Sequence, residues 1–271
     1  MNFKIGFTAQ TTDTNNEKTA KIALQQNEMP RRCVAQIYFA NRNMTLPYYN
    51  DRFNLYRGDM VYVDGKLEGM LGRVIDVNYN FKIKMSDYKR VIAVVDTDVH
   101  GRFFMAGSHF VTFDRKALPY DKVLLWFKAP AADGDEFVYG SDDTFFRIDD
   151  LGDMNIDKAT AERGHKYYLD NKVRYICLDG CKGYAIVEGS EIYEVEFEYQ
   201  NGEISKLVCP CFCGGSCKHE FAAVLQLKET LGVIEKNYAA EYESAGYFAA
   251  VSKEVLFTFA TDGKDTDTFT L

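Results

Sequence analysis

Long apolar runs are missing from this 271-residue chain, and none approaches the eighteen or so residues that cross a bilayer as a helix. Integration into a membrane through helices is therefore excluded. Excess positive charge is missing too. The 32 Lys and Arg are outnumbered by 40 Asp and Glu, for a net charge of −8. That balance disfavours a sequence-independent nucleic-acid binder, which needs cationic surface to displace counterions. The chain has no Gly-rich phosphate loop, nucleophile elbow, His-Glu-x-x-His pair or kinase motif set, so a non-enzymatic protein with no small-molecule substrate is expected. The opening residues Met1-Asn2-Phe3-Lys4-Ile5-Gly6 lack the apolar stretch of a secretory signal, and the seven cysteines are odd in number and unevenly spread. A disulfide framework is not expected, and the expected location is cytoplasmic.

What the chain has is an ordinary globular balance, 46% hydrophobic and 27% charged, and enough length for one large or two to three small domains. Its 18 Tyr and 20 Phe favour a strand-rich α+β fold. Residues 1–32 read as an arm with a strand at 3–7 and a helix at 18–26. Residues 33–95 resemble a small SH3-like β-barrel, with strands at 37–40, 55–63, 71–77 and 91–95 and a turn at Asp64-Gly65-Lys66. Eleven bases and six acids fall between residues 31 and 90, a difference of +5. Arg57, Lys66, Arg73, Lys82, Lys84, Lys89 and Arg90, interleaved with tyrosines such as Tyr56 and Tyr79, mark where a nucleic-acid surface would lie.

Residues 96–152 are acidic, with strand-like runs at 102–105, 109–113, 122–127 and 137–139. Asp96, Asp98 and His100 could supply ligands to a metal, but the same residues make an ordinary turn at the end of a strand. His109 reads as a packed or surface histidine. A helix is expected over 156–170, a strand pair about Asp179-Gly180, and a strand over 192–199 that alternates Tyr193, Val195, Phe197 and Tyr199 with Glu194, Glu196 and Glu198. Asn201-Gly202 then predicts a type I′ hairpin. In 236–271 the sequence suggests a short helix at 247–251 and a terminal hairpin joining 256–260 to 268–271.

The chemistry concentrates in Cys209-Pro210-Cys211-Phe212-Cys213-Gly214-Gly215-Ser216-Cys217-Lys218-His219. Structural zinc takes four ligands, with Cys and His preferred, and residues two apart on an extended segment point the same way. Cys209 and Cys211 can hold one side of an ion, and the Gly214-Gly215 turn brings Cys217 and His219 to the other. Cys213 satisfies the same pair geometry and stays open as an alternative ligand, as the centre of a thiol-based redox sensor, or, like Asp96, Asp98 and His100, as the centre of an uncharacterised enzyme. Apolar Phe221, Val224, Leu225 and Leu231 follow at helical spacing, with Gly232 as a helix stop. Pro210 helps to end the preceding strand.

Cys-x-Cys, a short linker and Cys-Lys-His before an apolar helix resemble the SWIM-type zinc finger. The likeness extends upstream through Arg163-Gly164-His165-Lys166-Tyr167-Tyr168, Asn171-Lys172-Val173 and Ala185-Ile186-Val187-Glu188-Gly189-Ser190-Glu191-Ile192-Tyr193-Glu194-Val195, covering roughly residues 159–231 within a module at 153–235. It implies one structural zinc on Cys209, Cys211, Cys217 and His219, and a role in protein or nucleic-acid interaction. The charge pattern favours a protein partner for this acidic module and leaves nucleic acid to the basic segment. Cys177, Cys181 and Cys33 read as reduced structural thiols.

Overall fold

The computed structural model describes residues 30–131, 138–140, 145–213 and 215–262. The strand and helix expected in the N-terminal arm, and the second strand of the terminal hairpin, lie outside these residues. The fold is mixed α+β, strand-rich, with two antiparallel sheets and five helices among the described residues.

The first sheet holds β1 (Cys33–Phe39), β2 (Met44–Asn50), β3 (Met60–Val63), β4 (Gly72–Asn78) and β5 (Val91–Val95) in the order β2-β1-β4-β3-β5. Alternate residues Cys33, Ala35, Ile37 and Phe39 of β1 join Val61, Val63, Val74 and Val91 in a core of their own, as a strand buried on one face requires. The edge strand β2 meets the residue just before the other edge strand, β5, at one bridge, Tyr49 with Arg90. The sheet therefore curls, but no closed barrel is found among the described residues. Pro47 has no N–H to offer on β2. Beyond Tyr49 the Asn50 side chain accepts from the N–H groups of Arg52 and Phe53 and turns the chain away.

The second sheet has eight strands: β6 (Phe104–Ala106), β7 (His109–Thr112), β8 (Phe145–Arg147), β9 (Val173–Asp179), β10 (Lys182–Glu188), β11 (Ile192–Gln200), β12 (Glu203–Val208) and β13 (Tyr247–Ser252). Their order is β6-β7-β13-β9-β10-β11-β12-β8, so segments far apart in sequence share one layer. One face of this sheet, with Ile176, Leu178, Val187, Val195 and Phe197, packs on α3 (Lys218–Asn237), flanked by α2 (Lys158–Leu169) and α4 (Ala239–Ala245). The other face, with Tyr175, Cys177 and Ile186, packs on α1 (Tyr120–Phe127), on α5 (Lys253–Asp262) and on Tyr62, Ala93 and Val95 of the first sheet. The large sheet is thus a middle layer.

Four expectations fail here. The segment over 247–251 is the strand β13, wholly buried. Its Phe248 and Ala250 face one core while Tyr247, Ala249 and Val251 face the other, so pairing with β7 and β9 overrides the helical preference of the two alanines. Residues 122–127 are helical because Val123 and Trp126, three apart, share one buried side. Residues 256–260 belong to α5, whose start is capped by Ser252 Oγ accepting from the Val255 N–H at 3.4 Å. Val138 and Tyr139 lie in no strand.

Helix α3 also runs past Gly232, which sits exposed within it, and ends at Asn237. Its buried residues include Ala223, Val224, Leu227, Thr230 and Ile234, a wider and rotated stripe than the one expected. The sheet covers one side of this helix and α2 another.

Candidate metal centre

The β11–β12 hairpin turns at Asn201 and Gly202, whose φ angles of 52° and 85° are the pair a type I′ turn demands. Farther along, the register slips between Glu196 and Glu198, and Lys206 takes φ 50°. This bulge bends the end of β12 and delivers Cys209 to the mouth of α3.

Cys217 is the N-cap of that helix. Its Sγ accepts from the Glu220 N–H at 3.4 Å, and its own N–H donates to Glu220 Oε2 at 2.8 Å, a reciprocal capping box with sulfur in place of oxygen. Ser216 Oγ donates to the Met154 carbonyl at 2.9 Å and ties the loop to the body.

The ligand atoms of Cys209, Cys211, Cys217 and His219 all lie within 4.8 Å of one another, so this group can hold one metal ion. His219 Nδ1 stands 3.7 Å from Cys209 Sγ and 3.8 Å from Cys217 Sγ. A tetrahedron with metal–sulfur bonds of about 2.3 Å and metal–nitrogen bonds of about 2.0–2.1 Å has S···N edges of roughly 3.5–3.6 Å. The observed spacings are within a few tenths of an ångström of those edges.

The imidazole is held on three sides. Tyr193 stacks on it at 3.8 Å between centroids, Tyr167 meets it edge-on at 5.6 Å, and Gly189 leaves the space in which its Nε2 sits. A Cβ on Gly189 would come within 2.9 Å of Tyr193 and 3.3 Å of Nε2. Nε2 is buried with no hydrogen-bond partner among the described residues. Burial, with Lys218 next to it, lowers the His219 pKa to about 4, which keeps the ring in the neutral form a metal binds. Burial raises the Cys211 thiol to about 12, and a hydrogen bond with Cys209, followed by burial, raises that of Cys217. An ion must therefore displace protons from these sulfurs. The Glu220 carboxyl, pushed up to about 7 by burial, adds less than a full negative charge beside them.

The chain matches no protein-family model, no curated protein and no solved structure.

Of the other residues singled out in the sequence, Cys213 is exposed and lies outside the four-residue group. Asp96, Asp98 and His100 are exposed and form no metal-holding group among the described residues; Asp96 pairs with Lys122 at 2.9 Å. Cys177 is buried in the second core while Cys181 is exposed, and Cys33 is buried against Asn50. His109 is fully buried, with Nε2 2.8 Å from the Val173 carbonyl and Nδ1 3.0 Å from Ser108 Oγ.

The acidic row of β11 is half-buried rather than freely solvated. Glu194 takes hydrogen bonds from Tyr120 and Lys128, both at 2.7 Å, Glu196 one from Tyr139 at 3.1 Å, and Glu198 one from Lys206 at 2.9 Å. Among the basic residues, Arg57, Lys66, Lys82, Lys84 and Lys89 are exposed and Arg73 is half-buried. Arg90 pairs with Asp51 at 3.0 Å and lies over Tyr49. Sequence reasoning missed the clamp of Tyr167, Tyr193 and Gly189, and the Cys217/Glu220 cap. The one available signal was a Glu three residues beyond Cys217, the spacing of a capping box.

Proposed function

We propose that Cys209, Cys211, Cys217 and His219 hold one structural zinc ion, and that the protein is a non-catalytic interaction module of the SWIM zinc-finger kind. The observation that carries this reading is the convergence of three sulfurs and one imidazole at tetrahedral spacing on a hairpin end and a helix start. Soft thiolate donors with one imidazole suit zinc, and four protein ligands leave no position for the water that catalytic zinc requires. The helix N-terminus meets the Cys217 sulfur through the Glu220 N–H, which offsets part of the charge of three thiolates.

The ion fixes a loop that ends in a wholly exposed Phe212. An exposed aromatic on a rigid loop is suited to anchor in a pocket of a protein partner. A second reading, nucleic acid bound at the five-stranded sheet, draws on exposed Tyr56 and Tyr79 among the exposed bases. It predicts affinity for single strands that falls steeply with salt.

Elemental mass spectrometry of the purified protein tests the metal. One zinc per chain is expected in the wild type and in Cys213→Ser, and none in Cys209→Ser. Loss in Cys213→Ser with retention in Cys209→Ser would move the ligand set, and a wild type without metal after reduced purification would end this reading.

A further inference from the structure

The metal group has a fifth sulfur at its side. Cys213 is exposed and lies two residues along the chain from Cys211, one of the four ligands. The same residue lines a cleft of about 630 Å³ between the loop and the start of α2, together with Arg163, Lys218, Ser216 and Thr160. Arg163 is exposed, and its guanidinium donates to Thr160 Oγ1 at 2.7 Å, which holds it along the cleft wall. Lys218 lies with its ammonium 4.7 Å from the centre of the Tyr167 ring. Asp157 also lines the cleft and is committed to capping α2, accepting from the Thr160 N–H at 3.0 Å. An exposed cysteine therefore lines a pocket with two cationic side chains, two residues from a ligand cysteine.

We propose that Cys213 is a modification site for anionic low-molecular-weight disulfides, and that its reaction there unloads the metal. This rests on the reading of Cys211 as a zinc ligand. In the first step Cys213 Sγ attacks one sulfur of the small disulfide, the S–S bond breaks, and a mixed disulfide forms as one small thiolate leaves. In the second, Cys211 Sγ attacks Cys213 Sγ and expels the other small thiolate. The protein is oxidised by two electrons and the small disulfide is reduced to two thiols, which take up the Cys213 proton and one from solvent. With Cys211 in a disulfide the ion keeps three ligands and is released to a chelator. Arg163 and Lys218 attract the carboxylates of the incoming molecule. Cys181 provides an internal contrast, because it is exposed like Cys213 and lies outside the metal-holding group.

The test uses the full-length zinc-loaded protein, glutathione disulfide as the anionic probe and hydroxyethyl disulfide as a neutral one. Metal release is followed with a chromogenic chelator, and adducts are mapped by mass spectrometry. In the wild type the first adduct at the metal loop is expected on Cys213, giving way to a Cys211–Cys213 disulfide as zinc appears, while an adduct on Cys181 persists. Cys213→Ser is expected to slow release at least about tenfold. Arg163→Glu is expected to slow it roughly fivefold with glutathione disulfide and not with the neutral probe.

Release from Cys213→Ser at the wild-type rate, or a Cys213 adduct that never resolves, would overturn the proposal. Equal slowing of both probes by Arg163→Glu would remove the cleft from it. A wild type that never carries zinc ends the metal reading instead, and where the first adduct forms then still decides whether Cys213 is the reactive thiol.

Discussion

The protein buries a histidine in two regions, and they are built on opposite principles. One strand in from the edge of the large sheet, His109 of β7 has both ring nitrogens partnered, by Val173 and Ser108. At the mouth of α3, His219 turns Nδ1 toward two thiols and leaves Nε2 with no partner among the described residues. Burial lowers both pKa values to about 4. The first histidine is complete without anything added, as a buried polar group in a finished core should be. The second has its aromatic clamp in place and its Nδ1 facing two sulfurs, the side on which an ion could bind.

The widest separation between the regions comes from removing each ring. His219→Ala is expected to abolish metal binding and, with it, an apparent contribution of about 10 kcal/mol or more to folding around the loop. Hydrogen exchange is expected to show lost protection at the end of β12 and the first turns of α3. His109→Ala leaves metal content at one per chain and lowers global stability. Retained protection at the start of α3 in the metal-free His219→Ala protein would show that the loop is held by packing alone, and the contrast would collapse.

Acid separates them next. The folded pKa of His109 lies below its unfolded value of about 6.5, so the unfolded state binds more protons between pH 6.5 and 4. The stability tied to the neutral ring is present in full above about pH 6.5 and is lost as pH falls toward 4. Two and a half units correspond to about 3 kcal/mol. Arg174 and Lys253 lower the pKa further, while the bond to the Val173 carbonyl opposes them. Denaturant titrations at a series of pH values are expected to show this decline in the wild type and a flatter profile in His109→Asn. Equal slopes in the two proteins would place the acid sensitivity elsewhere.

A smaller effect probes the clamp. In Gly189→Ala the new methyl group must displace Tyr193 or His219, and overpacking of this kind costs about 1–3 kcal/mol. Weaker metal retention in a chelator competition is the expected result. Unchanged retention would mean that the stacked ring does not position the ligand.

How much of this was legible beforehand follows from how local each feature is. The hairpin at Asn201-Gly202, the alternation along β11 and the Cys/His spacing are encoded within a few residues, and the structure has them where the pattern put them. The strand β13 looks helical from its own sequence because its Phe-Ala-Ala-Val segment is decided by β7 and β9, which lie far away in the chain. Residues 122–127 look like a strand in sequence because valine and two aromatics in a short run outweigh a three-residue spacing that only a partner surface makes meaningful. The clamp on His219 joins residues from α2, the β10–β11 turn and β11, and no single stretch announces it. The curled five-stranded sheet was half visible: four of its strands were expected, while β2, interrupted by Pro47, was not.

The finest comparison removes one hydroxyl from each region. Ser108 Oγ lies between His109 Nδ1 and Asn171 Oδ1, each at 3.0 Å, and Ser216 Oγ donates to the Met154 carbonyl. A single hydrogen bond of this kind contributes about 1 kcal/mol. In Ser108→Ala that loss is expected in global stability, because β7 pairs directly with the wholly buried strand β13 and its unfolding cannot be confined. In Ser216→Ala the chain on either side is pinned by the Cys217 cap and, when zinc is bound, by the ion itself. The loss is then expected as faster amide exchange over the loop between Cys211 and Cys217, with the global unfolding midpoint nearly unmoved and one zinc retained. If Ser216→Ala instead lowered metal content, the loop would depend on its tie to Met154 as much as on its ligands, and the metal region would belong with the His109 region as one held by the protein's own bonds.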